Sequence, residues 1–225
     1  MMYQIAIDGP SGAGKSSLAK AVAKVLGIVY VDTGALYRTV GYYVTQKGLS
    51  PKDAVAVESV LPEIHIELKF ENGTQVVCLN GENLGDQIRR PEISMAASAV
   101  SAIPAVRAFL LETQKSIART HSVIMDGRDI GTVILPQADV KIFLFASDEA
   151  RARRRTKELA EKGMPAVYED VLREMRQRDE QDRGREVAPA IPAQDAIMFD
   201  NSELTVEQSV EKLLEIVRER VPEAR

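Results

Sequence analysis

Apolar positions along the chain occur in short continuous runs that alternate with stretches of helical spacing. The continuous runs are YQIAID, IVYVD, SVIMD, KIFLF and AIMF. Runs of this length and composition are typical of strands that are buried on both faces of a parallel sheet. Between them, the recurrence of apolar residues predicts helices over 16–26, 35–47 and 205–221, and a long charged helix after KIFLF. The pattern therefore predicts an α/β fold: a five-stranded parallel sheet with helices on both faces.

One stretch, residues 62–85, has a different period. Apolar and polar residues alternate there, which predicts strands with one buried face. Two Asn-Gly pairs separate the runs, and Asn-Gly favours the tight turns of hairpins. We expect a small antiparallel sheet, inserted in the α/β core, with His65 on its polar face. The residues that carry this prediction are Ile64, Ile66, Leu68 and Phe70, followed by the turns Asn72-Gly73 and Asn80-Gly81.

Composition narrows the classes of function. The 225 residues suffice for one sizeable domain, and the net charge of −4 argues against a protein that coats nucleic acid. Cys78 is the only cysteine, so no disulfide forms within the chain, and the two histidines, His65 and His121, exclude a site with several histidine ligands. No apolar run approaches the ~18 residues of a membrane span. We expect a cytoplasmic protein without a membrane partner.

The loop GPSGAGKSS, residues 9–17, follows the first predicted strand and begins the first predicted helix. It matches the pattern G-x-x-x-x-G-K-[ST]. Its glycines let backbone N–H groups converge on phosphate oxygens, and the helix N-terminus adds partial positive charge. Lys15 is expected to reach the β- and γ-phosphates, and the Ser16 hydroxyl to coordinate Mg²⁺. The expected nucleotide-binding residues of this phosphate loop are Gly9, Pro10, Ser11, Gly12, Ala13, Gly14, Lys15, Ser16 and Ser17.

Two further motifs follow predicted strands. In open α/β sheets ligands bind beyond the carboxyl ends of the strands. The carboxyl ends of two predicted strands carry the motifs VDTGALYR, residues 31–38, and DGRDIGT, residues 126–132. Asp126 is expected to hold Mg²⁺ directly or through a bound water; a helix or turn cap is the alternative. For Arg128 the alternative to a site role is an ordinary surface arginine. The expected site residues of these motifs are Thr33, Tyr37, Arg38, Asp126, Arg128 and Asp129.

An arginine-rich segment, ARARRRTKELAEKGM at residues 150–164, begins the charged helix. Cations near a helix N-terminus oppose the helix dipole, so we expect a compensating anion, of which a triphosphate is the obvious candidate. The alternative is a basic surface whose side chains only reach toward solvent. The arginines concerned are Arg151, Arg153, Arg154 and Arg155.

The run RDEQDRGRE, residues 178–186, contains seven charged side chains in nine positions. Mixed charges on a helix usually form a solvated face with weak pairs. Helical spacing nevertheless places Arg178, Asp182 and Arg185 on one face, which we expect to bind substrate. Asp179 and Arg183 are expected to form an exposed pair on another face.

With GPSGAGKSS, VDTGALYR, DGRDIGT, RARRR and RDEQDRGREVAP in this order, the chain resembles the bacterial cytidylate kinases from about residue 3 to 220. That family phosphorylates CMP and dCMP with ATP and Mg²⁺. Thr33 stands where some relatives have Ser, and Ser17 where many have Thr; both keep a hydroxyl. The resemblance implies one P-loop kinase domain over 1–225, with a lobe for the monophosphate at 33–105 and a lid over ATP at 148–166.

The resemblance also implies roles for single residues. Arg38, Arg128 and Arg178 would bind the acceptor phosphate, and Asp182 the sugar. Ser98, Arg107 and Asp129 would read the cytosine. A carboxylate and a guanidinium match the N4 donor and the N3 and O2 acceptors of cytosine, whereas uracil would leave these groups unpaired. The catalytic set would be Lys15, Arg128 and Arg178 with the lid residues Arg154 and Arg155.

Two alternatives remain open at this point. The first is a kinase of the same architecture that acts on AMP, dTMP or shikimate. The second is a nucleotide-dependent binding switch or a nucleic-acid module. The acidic balance and the lack of a basic stripe with interleaved aromatic residues argue against the second. We expect a monomer with no nucleic-acid partner.

Overall fold

The computed structural model describes residues 2–71, 74–161 and 163–224. The chain divides into two compact units, the first made of Met1–Ile28 and Ser122–Arg225 and the second of Val29–His121. The strands are β1 (Gln4–Asp8), β2 (Val29–Asp32), β3 (Ile66–Glu71), β4 (Thr74–Leu79), β5 (Glu82–Asn83), β6 (Val123–Gly127), β7 (Val140–Phe145) and β8 (Ile197–Asp200). The helices are α1 (Lys15–Leu26), α2 (Thr33–Gln46), α3 (Ala54–Val60), α4 (Pro91–Val100), α5 (Pro104–Ala118), α6 (Asp148–Glu161), α7 (Tyr168–Arg183) and α8 (Val206–Arg220).

Five strands form the main sheet, in the order β2-β6-β1-β7-β8. β1 pairs in parallel with β6 and β7, and β7 pairs in parallel with β8. Ile5, Ala6 and Ile7 are all fully buried, although successive side chains of a strand point to opposite faces of a sheet. Both faces of β1 are therefore covered. The five-stranded parallel sheet that the apolar runs predict is confirmed.

The helix ends have local causes. α1 ends where Gly27 adopts a φ of +63°, a conformation that favours glycine. α8 begins with a capping box, in which Thr205 and Gln208 satisfy each other's backbone N–H groups.

α7 ends at Arg183 and is followed by Gly184. The prediction that Arg185 shares a helix face with Arg178 and Asp182 is wrong in that respect, because Arg185 lies beyond the last helical residue.

The second unit contains the inserted antiparallel sheet. Its strand order is β3-β4-β5, as the alternating pattern predicts. Asn80 and Gly81 have φ values of +50° and +87°, which is the geometry of the tight turn that Asn-Gly favours. The other predicted turn, Asn72-Gly73, lies outside the described residues. His65 is exposed, and Ile64 belongs to the buried core of this unit.

Within the described residues, no single helix is long and apolar enough to cross a membrane. The helices α4 and α5, which meet at a bend of 101°, satisfy the criteria only when they are taken together.

Candidate functional site

The phosphate loop joins β1 to α1, which is the strand–loop–helix context that its sequence pattern requires. Gly9 has a φ of +146°, and a Cβ added there would lie 1.9 Å from the carbonyl oxygen of Leu144. No residue with a side chain fits this position. Lys15 is the first residue of α1, so the loop residues lie at a helix N-terminus, where backbone N–H groups and the helix dipole favour an anion.

Three carbonyl groups of the phosphate loop accept hydrogen bonds from side chains. Nζ of Lys15 donates to the carbonyl of Pro10 at 2.7 Å. Nη1 of Arg151 donates to the carbonyl of Ser11 at 2.7 Å, and Nδ2 of Asn201 donates to the carbonyl of Ala13 at 2.9 Å. Because these carbonyls are bound by cations and an amide, the loop is fixed in a form that can offer its N–H groups to an anion.

The Lys15 ammonium is buried close to other cations. Only 6% of the residue is exposed. Burial, followed by Arg128 and Arg178, lowers the pKa of Lys15; Asp126 and Asp8 oppose this, and the resulting pKa is about 7. Since both burial and the neighbouring cations disfavour the charged form of Lys15, a polyanion that binds among these cations stabilises that charge. The cluster of Lys15, Arg128 and Arg178 therefore has the electrostatics of a phosphate-binding site.

Ser16 and Asp126 supply two oxygen atoms beside the phosphate loop. The Ser16 hydroxyl donates to Oδ2 of Asp126 at 2.8 Å, and Asp126 is buried in β6. In residues 2–71, 74–161 and 163–224 there is no group of three or more His, Cys, Asp and Glu side chains that could hold a metal ion. This donor set suits Mg²⁺, which binds few protein oxygens and otherwise takes water and phosphate oxygens.

Asp182 on α7 binds two arginines. Nε of Arg128 donates to its Oδ2 at 2.8 Å, and Nη2 of Arg185 donates to its Oδ1. Burial raises the pKa of Asp182, but Arg128 and Arg185 outweigh it, so the pKa lies below its usual value. The structure thus brings together three residues that the sequence places in the site, and the carboxylate orients both guanidinium groups.

Asp179 is not exposed, contrary to the prediction from the charge run. Only 4% of its side chain is accessible, and it binds Arg151 and the backbone N–H of Ser11. Arg183 is exposed, and its Nε donates to the backbone carbonyl of Asp179. The predicted exposed pair of Asp179 and Arg183 is therefore wrong: helical spacing identifies a separate face, but that face packs against the phosphate loop.

The arginine-rich segment also differs from its prediction. α6 begins at Asp148, and Arg151 binds Asp148 and Asp179, each at 2.5 Å. The anion that compensates Arg151 is thus supplied by the chain itself rather than by a triphosphate. Arg154 donates to the carbonyls of Asn201 and Ser202, and Arg155 to Glu158. Arg153 is exposed. The role of Arg154 and Arg155 in phosphate binding stays a prediction.

One buried residue of the site was missed by the sequence analysis. Asp8, the last residue of β1, accepts hydrogen bonds of 2.7 Å from the N–H groups of both Ile130 and Gly131. These residues begin a π-helical turn, Ile130–Ile134, directly after Arg128 and Asp129. Burial raises the pKa of Asp8, and the two backbone N–H groups oppose this rise. The resulting pKa is about 6. The sequence feature that could have identified Asp8 is its position: it is an acidic residue that ends an apolar strand just before a phosphate loop.

The second unit holds the remaining predicted substrate residues. Asp32, which sequence analysis did not single out, begins α2 by accepting from the N–H of Ala35 at 3.0 Å. Its other oxygen accepts from Nη2 of Arg38 at 2.7 Å. Thr33 is buried at the start of the same helix. The direction of the Arg38 guanidinium is therefore fixed by Asp32, the residue just before α2 and six positions earlier.

Tyr37 and Arg107 lie together in this unit. The Arg107 guanidinium lies 5.6 Å from the centre of the Tyr37 ring, and its Nη1 donates to the carbonyl of Ser101 at 3.2 Å. The Ser101 hydroxyl in turn donates to the carbonyl of Ser98 at 2.8 Å. Three residues predicted to contact substrate, Tyr37, Ser98 and Arg107, are therefore linked within one unit, with Ser101 as the connection.

The phosphate loop and its neighbouring cations, all in the first unit, are typical of a recognisable class of enzyme. A parallel sheet with a phosphate loop between β1 and α1, and arginines beside a buried lysine, define a P-loop kinase. Such a site transfers a phosphoryl group by positioning and charge neutralisation.

Comparison with known proteins identifies the particular family. The sequence model of the family described as Cytidylate kinase matches residues 5–219. The cytidylate kinase of Fervidobacterium nodosum is 49% identical over 220 residues, 98% of each chain. That of Thermosipho melanesiensis is 47% identical over 98% of this chain and 99% of its own. The chain belongs to the cytidylate kinase family, and it is an enzyme that phosphorylates CMP.

A solved structure shares the fold at low sequence similarity. An uncharacterised protein from Eubacterium ventriosum superposes with a TM-score of 0.52 at 13% identity, over 97% of this chain and 100% of its own. At this identity the likeness concerns the fold alone.

Proposed function

We propose that the protein transfers the γ-phosphate of ATP, in the presence of Mg²⁺, to both CMP and dCMP, and so forms CDP and dCDP. The single observation that carries this proposal is the cation cluster: Lys15, buried and with its pKa lowered to about 7, lies near Arg128 and Arg178. Two phosphate groups, one from the donor and one from the acceptor, provide the negative charge that such a cluster requires.

The donor is proposed to bind at the phosphate loop. The loop N–H groups at the N-terminus of α1 donate hydrogen bonds to the β- and γ-phosphates, and Lys15 adds a full charge. Lys15 then exchanges its hydrogen bond to the carbonyl of Pro10 for a phosphate oxygen. Arg154 and Arg155, on α6, are proposed to contact the phosphates from the lid at 148–166.

Mg²⁺ is proposed to bind at Ser16 and Asp126. The two oxygens already lie within hydrogen-bond distance of each other, so little rearrangement is needed to direct both toward one cation. When bound, the ion neutralises phosphate charge. Asp126 holds it directly or through a water molecule.

The acceptor is proposed to bind through three arginines, Arg38, Arg128 and Arg178, which take its phosphate. Ser98, Arg107 and Asp129 read the cytosine, with Tyr37 and Thr33 beside them. Asp182 contacts the sugar, because a carboxylate oxygen that already accepts from an arginine keeps a second lone pair. Arg185, which binds the same carboxylate, holds it in place.

Transfer then needs no covalent intermediate. The acceptor phosphate attacks the γ-phosphorus in line, and the arginines with Lys15 neutralise the charge that spreads over the transferred group. A single displacement of this kind requires no activated serine or cysteine.

The experiment is a panel of acceptors in a coupled assay of ADP release with ATP and Mg²⁺. We expect CMP and dCMP to give rates at least about 100-fold above UMP, AMP, dTMP and shikimate, because a mismatched base leaves buried polar groups unpaired. EDTA should abolish the rate, and ATP alone should give only slow hydrolysis. Equal rates with AMP or UMP would contradict the assignment of the base-reading residues, and a rate that EDTA leaves unchanged would contradict the Mg²⁺ site.

A further inference from the structure

A buried pair of opposite charges holds one residue of the phosphate loop. Nη1 of Arg151, on α6, lies 2.5 Å from Oδ2 of Asp179, on α7, and only 3% and 4% of these side chains are exposed. The N–H of Ser11 donates to Oδ1 of Asp179 at 3.0 Å. The carbonyl of Ser11 accepts from Nη1 of Arg151 at 2.7 Å. The pair thus binds both backbone groups of Ser11.

The orientation of Arg151 is determined by further contacts. Its Nη2 binds Oδ1 of Asp148 at 2.5 Å, and its Nε donates to the carbonyl of Ala146 at 3.2 Å. A planar guanidinium with donors engaged on several sides has one orientation. Arg151 therefore connects the end of β7, the first turn of α6 and the phosphate loop.

A second, independent contact places α7 against the loop. Gly12 has a φ of +70°, and a Cβ added there would lie 2.5 Å from Cε of Met175, a buried residue of α7. Ser11 and Gly12 are consecutive, so α7 contacts the loop through a charged residue and an apolar residue at neighbouring positions. Met175 and Asp179 are one helical turn apart, which puts both on the face of α7 that meets the loop.

The loop needs such support because of its own composition. Gly9, Gly12 and Gly14 give the backbone the freedom to form the loop, but the same freedom costs entropy when the loop is fixed. Phosphate binding by N–H groups depends on their direction, and displacements of about 1 Å in a site can cost ~10²-fold in rate. Contacts from α6 and α7 can therefore set how well the loop is preorganised.

We propose that Arg151 and Asp179 are positioning residues for the donor nucleotide: they fix the Ser11 peptide so that the following N–H groups and Lys15 meet the phosphates of ATP. This inference rests on the proposed function, since it assigns the loop to ATP. Neither side chain touches the nucleotide. The charge run RDEQDRGRE therefore serves the site from two faces of α7, through Arg178 and Asp182 toward the acceptor and through Asp179 toward the loop.

The test is the double variant Arg151→Met with Asp179→Leu. Apolar residues of similar volume often replace a buried ion pair without loss of folding. Titration calorimetry gives the Kd for ATP with Mg²⁺ and, separately, for CMP, and thermal melting followed by circular dichroism reports folding. We expect the Kd for ATP to rise about tenfold or more and the Kd for CMP to change less than about threefold. Conversely, equal rises in both constants are what a merely structural role would produce.

The matched control is Arg173→Met with Asp170→Leu. This pair lies on the same helix, with 71% and 51% of its side chains exposed, and we expect it to leave both constants unchanged. If the Arg151 and Asp179 double variant fails to fold, Asp179→Asn decides, because Arg151 keeps Asp148 as a carboxylate partner while the neutral amide holds Arg151 and the Ser11 N–H more weakly than the carboxylate does. Its expected Kd for ATP is raised about threefold or more, with an unchanged Kd for CMP.

Two results overturn the inference. One is a folded double variant, or Asp179→Asn, with the ATP affinity of the unmodified protein. The other is a variant in which the affinities for ATP and CMP fall equally. The unmodified protein is measured alongside: if it neither binds ATP nor forms CDP, the proposed function fails. If it does both and the variants match it, only the positioning role fails.

Discussion

At the scale of single residues, the central feature of the site is a lysine buried among arginines. Lys15 has little access to solvent and lies near Arg128 and Arg178, with Asp126 and Asp8 as the nearby opposite charges. We propose that the phosphates of the substrates are the anions that bind among these cations. Both the rate of transfer and its pH dependence should therefore depend on Lys15.

Replacement of Lys15 by methionine should lower kcat by ~10²-fold or more, because a preorganised cation is lost where charge develops in the transition state. Methionine has a similar length and suits a buried position, so the melting temperature should stay close to that of the unmodified protein. Steady-state rates with saturating ATP and CMP give the result. Near-normal turnover by a folded variant would remove Lys15 from the catalytic set.

Binding of ATP should take up a proton above neutral pH. In the protein without ATP, the pKa of Lys15 is lowered to about 7, so the amine is largely neutral at about pH 8. Bound phosphates favour the charged form and raise that pKa, so binding adds a proton, and the affinity for ATP falls as pH rises above about 7.

Calorimetry in buffers of different ionisation enthalpy measures this uptake. It should be small at about pH 6, where Lys15 is already charged, and approach one proton at about pH 8. Lys15→Met should abolish the difference between the two values. No proton uptake by the unmodified protein at the higher pH would contradict the buried, neutral state of Lys15.

Asp129→Asn should weaken the selectivity for cytosine more than it weakens ATP binding. The substitution replaces a group that only accepts hydrogen bonds by an amide that also donates. The ratio of kcat/KM for CMP to kcat/KM for UMP should fall by about tenfold, with the KM for ATP little changed. An unchanged ratio would exclude Asp129 from recognition of the base.

At the scale of elements, α7 carries charged residues on two differently packed faces and on an exposed remainder. Arg178 belongs to the cation cluster, and Asp182 binds Arg128 of the same cluster. Asp179 packs against the phosphate loop. Substitutions along this one helix should therefore have different consequences according to the face that they alter.

Arg178→Ala and Asp182→Ala should each cost ~2–4 kcal/mol in kcat/KM for CMP, as the loss of a desolvated charged contact does. Arg173→Ala, on the exposed part of α7, is the control and should cost well under ~1 kcal/mol. The three variants are compared by kcat/KM for CMP at saturating ATP, with melting curves to confirm folding. Equally mild effects in all three would mean that the charge run is an ordinary solvated surface.

Sequence reasoning was reliable for elements whose signal is local. The continuous apolar runs identified the parallel strands, and an Asn-Gly pair marked the turn at Asn80 and Gly81. It failed for Asp179, because the partner that makes this residue buried, Arg151, lies 28 positions earlier on another helix. Helical spacing separates faces of a helix, but only tertiary packing decides what covers each face. Of the two carboxylates that bind Arg151, Asp148 lies three positions earlier on the same helix, whereas Asp179 lies on another helix and could not be identified from the spacing along α6.

At the scale of the whole molecule, the family and the fold agree on phosphoryl transfer to CMP. The family match covers residues 5–219, and relatives at 47% and 49% identity are cytidylate kinases over nearly their full length. The predicted phosphate loop, the motifs after β2 and β6 and the charged helices all fall within that match. We propose that these parts together move one phosphoryl group directly from ATP to CMP.

The most direct test follows the transferred group itself. The protein is incubated with Mg²⁺, CMP and ATP that carries a radioactive γ-phosphate, and the products are separated by chromatography. We predict that the label appears in CDP, in equal amount to the ADP formed, with none on the protein, as a single in-line displacement requires. Label released as inorganic phosphate at a rate that CMP does not change, or label retained covalently on the protein, would contradict this account.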